Sequence, residues 1–209
     1  MANPDTPFGL RPCKHLSGNP YNGQTMRCWT STTAGAIYIG DIVDIQGSSC
    51  IKGCCPHVAI YTNLNDATEQ FGVMTSVENL RPAQAGYHPE DHGDAIYDDT
   101  NYRLTAIEMF INVVCDPNVI YLVQGDTATT SATGDAWDNS IFVDGGGSAV
   151  TGLSGIELDV SEIASDKSLT AFVLGTVDAP DRAIGINDLY YVLLNTSIFT
   201  GTLGRALGI

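Results

Sequence analysis

The stretch CIKGCCPH (50–57) sets three cysteines and one histidine within eight positions, residue types that hold soft metals or exchange disulfides. Zinc sites place their ligands as C-x2-4-C followed at a distance by a second pair, because two short chelate loops must converge on a tetrahedron. Cys50 and Cys54 have the first spacing, but Cys54 and Cys55 are adjacent and a second spaced pair is missing. A metal reading therefore needs Cys50, Cys54 and His57 joined by a remote ligand such as Cys115. The competing reading is small buried hydrophobes and bystander thiols on a turn or strand edge. A redox C-x-x-C motif is absent.

A second cluster, HPEDHGD (88–94), spaces His88 and His92 four apart with Glu90, Asp91 and Asp94 nearby. On a helix both imidazoles would share a face, yet Pro89 and Gly93 oppose a helix and the order is not H-E-x-x-H. A solvated loop is expected there, its imidazoles able to change charge at around pH 5 to 8. TGLSG (151–155) lacks the G-x-S-x-G spacing of a nucleophile elbow, and DGGGS (144–148) lacks the lysine of a phosphate loop. With 24 Asp and Glu some carboxylates must lie close in space, as a glycosidase pair does, but nothing in the sequence nominates a pair. The chain reads as non-enzymatic, with no catalytic residue, cofactor or metal to name.

The elements that would position these residues are strands. Charged residues are only 16% of the 209, 44% are hydrophobic and 22 are glycine, a composition suited to a turn-rich β protein large enough to bury a core without staples. Alternating or β-branched runs occur at 36–49, 57–62, 70–77, 105–115, 119–124, 140–143, 168–177 and 189–195, each bounded by Gly, Pro, Asn or Asp. They predict an all-β barrel or sandwich of about nine short strands over 36–209. Long loops are expected at 125–140 and 144–155, and a turn or two of helix at 159–166, capped by Ser161. Residues 1–35 show neither a 2.0 nor a 3.6 period and hold Pro4, Pro7, Pro12 and Pro20. They read as an extended arm with isolated apolar anchors, which orders only by burying them against a surface.

The formal net charge of -15 opposes phosphate backbones and excludes direct nucleic-acid binding. No apolar run is long enough to span a membrane, and the start MANPDTPFGL lacks the basic and apolar regions of a signal peptide. Synthesis in a cytoplasm is expected, with the six cysteines mostly reduced there.

The opening MANPDTPFGLRP with HLSGNPYNG (15–23) resembles the start of a family of small virion structural proteins of tailed bacteriophages, best known from cyanobacterial phages. The likeness continues in VVCDPNVIYLVQGD (113–126), GSAVTGLSGIELD (147–159) and APDRAIGINDLYYVLLN (179–195). Two features depart from the family pattern: Cys13 stands where an aliphatic residue is common, and Cys50, Cys54 and Cys55 are no hallmark. The resemblance implies a head decoration or cement protein on the capsid exterior, made in the host cytoplasm. Its partner would be the major capsid protein and its state a homo-oligomer, with a trimer drawn from the class. On this reading Phe8, Leu10, Arg11, Tyr21 and Trp29 are the capsid contacts, the apolar ones as anchors and Arg11 as a forked donor. The alternative for the arm is that it folds back on its own barrel. The alternative function is an adhesion or carbohydrate-binding module, with loops 86–103 and 125–155 presenting Tyr87, Tyr97, Tyr102 and Trp137 to sugar rings.

Overall fold

The computed structural model describes residues 3–49, 53–64, 70–78, 101–106, 108–126, 135–166, 168–178 and 184–200. Twelve strands lie among them: β1 (Arg11–His15), β2 (Met26–Thr30), β3 (Ile42–Ser49), β4 (Pro56–Ile60), β5 (Gly72–Glu78), β6 (Met109–Val114), β7 (Val119–Gln124), β8 (Asn139–Ser140), β9 (Phe142–Asp144), β10 (Ile156–Leu158), β11 (Ala171–Thr176) and β12 (Leu189–Leu194). The all-β expectation holds. Strands β2-β4-β3-β5-β6 close a barrel, β1-β7-β12-β11-β8 form an open sheet in that order, and β9 and β10 pair as a ribbon.

Period-2 patterning explains both cores. In β6, Ile111 and Val113 point into the barrel with Cys28, Ile37, Val43, Val58 and Met74, whereas Phe110 turns the other way, against Cys55 and Trp29. In β7, Val119, Tyr121 and Val123 meet Tyr190, Val192 and Leu194 of β12 in the larger core. Ile120 faces the opposite side with Phe172 and Leu193. The β9–β10 ribbon adds Phe142, Ile156 and Leu158 to the larger core.

The described part of 1–35, residues 3–35, is not an arm, which corrects the expectation. Strand β1 pairs antiparallel with β7 from Arg11↔Leu122 to His15↔Val119, and β2 pairs with β6 from Met26↔Val113 to Thr30↔Met109. The folded-back alternative describes this chain better. Alternation fails as a guide in β1 because its register slips between Pro12 and Lys14, a bulge that breaks the period. Upstream of β1 the backbone crosses the barrel closely: Leu10 N–H donates to Gly40 O at 3.0 Å, and Gly9 and Gly40 have φ of 69° and 99°. A Cβ at Gly40 would lie 2.8 Å from Phe8 O. Gly40→Ala is expected to cost about 2 kcal/mol through this strained conformation, read as a lower denaturant midpoint; an unchanged midpoint would contradict the crossing.

The helix expected at 159–166 is a single 3-10 turn, Val160–Glu162, capped by Asp159 and not by Ser161. Asp159 Oδ1 accepts from Ser161 N at 2.9 Å and from Ser161 Oγ at 2.6 Å, so the serine is the donor of its own cap. Of the expected loops, 125–140 gives up its end to β8. Residues 144–155 form a laced turn with Gly145 N to Gly155 O at 3.0 Å and Ser148 N to Leu153 O at 2.9 Å. At 37–39 the expected strand reduces to single bridges, Ile37↔Arg103 and Ile39↔Leu153.

Candidate functional site

Three segments distant in sequence meet beside the barrel: the stretch before β1, residues 39–41, and the end of the 144–155 turn. Ile39 N–H donates to Gly152 O at 2.9 Å and Ser154 N–H to Ile39 O at 2.9 Å, forming one short ladder. Gln124 ties the front of the chain to the ribbon. Its Oε1 accepts from Thr6 N at 3.2 Å, and its Nε2 donates to Asp5 Oδ1 at 3.2 Å and Glu157 Oε1 at 3.3 Å.

The junction leaves a groove of about 380 Å³ lined by Phe8, Leu10, Arg11, Pro12, Tyr21, Gly23, Thr25, Ile39, Thr75, Ser76 and Leu153. Four of the five residues expected to make contacts therefore line one groove, although no sequence pattern predicted a groove. Leu10 is 2% exposed and belongs to the larger core, so it is floor and not an anchor for insertion elsewhere. Phe8 is half-buried, with the exposed Arg11 guanidinium 5.0 Å from its ring centroid. Tyr21 packs against the same core and donates its hydroxyl to Gln24 O at 2.9 Å.

Trp29 lies elsewhere. It packs on Cys55 and Phe110, and its ring is 4.7 Å from that of His57, at the one backbone pair, Trp29↔His57, by which β2 meets β4. Half-buried on β2, it packs at the barrel closure and lies outside the groove that the other four expected contacts line.

Asp41, two residues after the groove-lining Ile39, is 4% exposed. Its carboxylate accepts from Tyr38 N at 2.7 Å and from the Ser154 hydroxyl. Burial, with Asp144 nearby, pushes its pKa up to about 6. Glu157 rises to about 7, first through burial and then through Asp5 and Asp126.

Arg103 has no local signature, since NYRLT (101–105) carries no recognisable motif. It is fully buried at 0% exposure. Its guanidinium donates to the carbonyls of Ser31, Ala34 and Gly35 and, at 3.2 Å, to Thr30 Oγ1, gathering the turn after β2. Burial lowers its pKa to about 10, so it remains a cation at neutral pH.

Of CIKGCCPH, Cys50 lies outside the described residues. Cys54 is exposed, with its sulfur 4.0 Å from that of the buried Cys55. His57 Nε2 is 3.1 Å from Ser31 Oγ, and Cys115 packs by the barrel core. Among the described residues, no group of three His, Cys, Asp or Glu is placed to hold a metal ion. HPEDHGD, Tyr87 and Tyr97 also lie outside the described residues. Tyr102 stacks on Tyr38 at 4.8 Å, whereas Trp137 stands 63% exposed with its edge toward Phe172. Compared with known proteins, the chain matches no family model, no curated protein and no solved structure.

Proposed function

We propose that this chain is a non-enzymatic virion structural protein. It acts as a head decoration or cement protein that binds the outer surface of a tailed-phage capsid and steadies contacts between major capsid protein subunits, working as a homo-oligomer, a trimer by its class. The sequence resemblance supports this reading, and so does an acidic all-β body with no attraction to packaged nucleic acid.

The observation that carries it is the groove beside β1. An apolar floor with an exposed forked cation at its rim suits an apolar side chain of the capsid protein, with a neighbouring carboxylate or carbonyl on Arg11. Arg11 opposes the net charge of the chain, so the contact also selects an acidic neighbour. Phe8→Ala and Arg11→Ala are each expected to weaken binding to phage heads about tenfold or more, the cost of one interface anchor, with the melting temperature nearly unchanged. Co-sedimentation with heads lacking the protein measures it. Undiminished binding of both variants would remove the groove from the interface.

A second reading, a carbohydrate-binding module, is favoured only by Trp137, an exposed ring of the kind that stacks on sugars. Glycan-array binding that disappears in Trp137→Ala would support it, and silence on the array would dismiss it.

A further inference from the structure

We propose that the adjacent thiols of Cys54 and Cys55 form a disulfide-exchange site, which a small-molecule disulfide of the glutathione type oxidises to a Cys54–Cys55 bridge. The inference goes beyond capsid binding and does not depend on it.

Exposure singles out the point of entry. Among the described thiols Cys54 is exposed, whereas Cys28 and Cys55 are buried and Cys13 and Cys115 half-buried. Burial raises the pKa of Cys13, Cys28 and Cys115, that of Cys28 to about 12, so these sulfurs stay protonated and poorly nucleophilic at neutral pH. Cys54 is the sulfur that a dissolved disulfide meets.

Position supplies the second thiol. The Cys54 and Cys55 sulfurs lie 4.0 Å apart, and a disulfide requires them to approach to about 2.05 Å. The chain is placed to yield: both residues lie between the ends of β3 and β4, with Gly53 at φ 68° before them and Pro56, which has no N–H to donate, after them. The β3–β4 register also breaks between Ile45 and Ser49, so this end of the hairpin is not held by a continuous ladder. A bridge between sequence neighbours closes a strained eight-membered ring, and strained or exposed disulfides are readily reduced. The bond therefore forms where the surroundings oxidise and opens where they reduce.

The exchange balances. The Cys54 thiolate attacks one sulfur of glutathione disulfide, breaking its S–S bond, forming a mixed disulfide and releasing one glutathione thiolate. Cys55 gives its proton to solvent and attacks the Cys54 sulfur, expelling the second glutathione. Two electrons pass from the protein pair to the oxidant, and two protons end on the two glutathiones.

Cys55 also joins the site to the barrel. It packs with Phe110 and Trp29, and Trp29 pairs with His57 where β2 meets β4. Oxidation draws the Cys55 sulfur toward Cys54 and away from those rings, so the redox state is felt at the seam that closes the barrel.

Mass spectrometry of the folded full chain tests this. Tryptic cleavage after Lys52 leaves Cys54 and Cys55 as the only cysteines of residues 53–103, separated from Cys50. After incubation with glutathione disulfide and then an alkylating agent, that peptide should carry no alkyl group and be two hydrogens lighter than its reduced form; a dithiol reductant should reverse both. Cys55→Ser should stop at a glutathione adduct on Cys54, and Cys54→Ser should slow glutathione uptake by this peptide about tenfold or more. In a Trp137→Phe chain Trp29 is the one tryptophan left, and its emission should change on oxidation and return on reduction. A pair that stays alkylatable, a bridge from Cys54 to the peptide bearing Cys50, or a Cys54→Ser chain that takes up glutathione as fast as the parent would each overturn the proposal. Unchanged Trp29 emission would overturn the coupling to the barrel.

Discussion

Arg103→Met is expected to lower stability by about 3 kcal/mol. Methionine fills most of the volume, so the cost is chiefly electrostatic. The Ser31, Ala34 and Gly35 carbonyls lose a shared donor. Ser31 O keeps Ala34 N–H at 3.2 Å and Gly35 is exposed. The main loss is therefore at the buried Ala34 carbonyl, where an unpaired polar group costs about 1–3 kcal/mol, and in the packing and charge of the buried guanidinium. Thr30 Oγ1 keeps its bond to Met109 O at 3.0 Å, so β2 stays tied to β6 and the damage centres on the turn after it. Arg103→Lys keeps the charge but cannot reach all four acceptors, and should lose about half as much. For a domain of this size the methionine variant should melt about 6–12 °C lower. A loss under about 1 kcal/mol would mean that water or another donor already serves those carbonyls.

Asp41→Asn is expected to stabilise the protein at neutral pH. The folded-state pKa of Asp41 is raised to about 6 from 3.8, so the folded protein prefers the neutral carboxyl. That contribution is fully present below about pH 4, is lost as pH rises through about 6, and stays lost at pH 7. A shift of this size corresponds to about 3 kcal/mol. Asparagine keeps an acceptor for Tyr38 N and turns its amide toward Ser154 without an ionisation to lose. At pH 7.5 Asp41→Asn should therefore exceed the parent by about 2–3 kcal/mol, and below pH 4 the two should converge. Glu157, raised to about 7, adds a change of the same sign centred slightly higher, so the parent protein should gain stability on mild acidification. Urea midpoints across pH 3.5–8 measure both effects. A less stable Asp41→Asn at pH 7.5 would show that the ionised carboxylate is favoured where it lies.

The sequence made most of the fold legible and little of the site. Strands β5, β6, β7, β11 and β12 announce themselves because each carries a dense β-branched or aromatic run between turn residues. Strands β1 and β2 do not. RPCKH and MRCWT are five residues long, the first holds two cations and the second one, and each draws its order from a partner far along the chain. In sequence Phe8, Leu10, Arg11 and Tyr21 read as spaced anchors of an arm, whereas in the fold they converge on one groove because Gly9 and Gly40 let that segment cross the barrel. Spacing alone cannot encode such a crossing. Arg103 and Asp41 were invisible for a related reason: a buried charge is defined by the carbonyls and hydroxyls folded around it, which no local pattern reveals.

Imaging the phage head with this chain present bears most directly on the capsid-cement reading. A reconstruction is predicted to show its closed barrel as repeated density on the outer shell, at the contacts between capsid subunits, with the groove beside β1 turned toward them. A particle whose head lacks that density, or that carries the chain only on its tail, would contradict it.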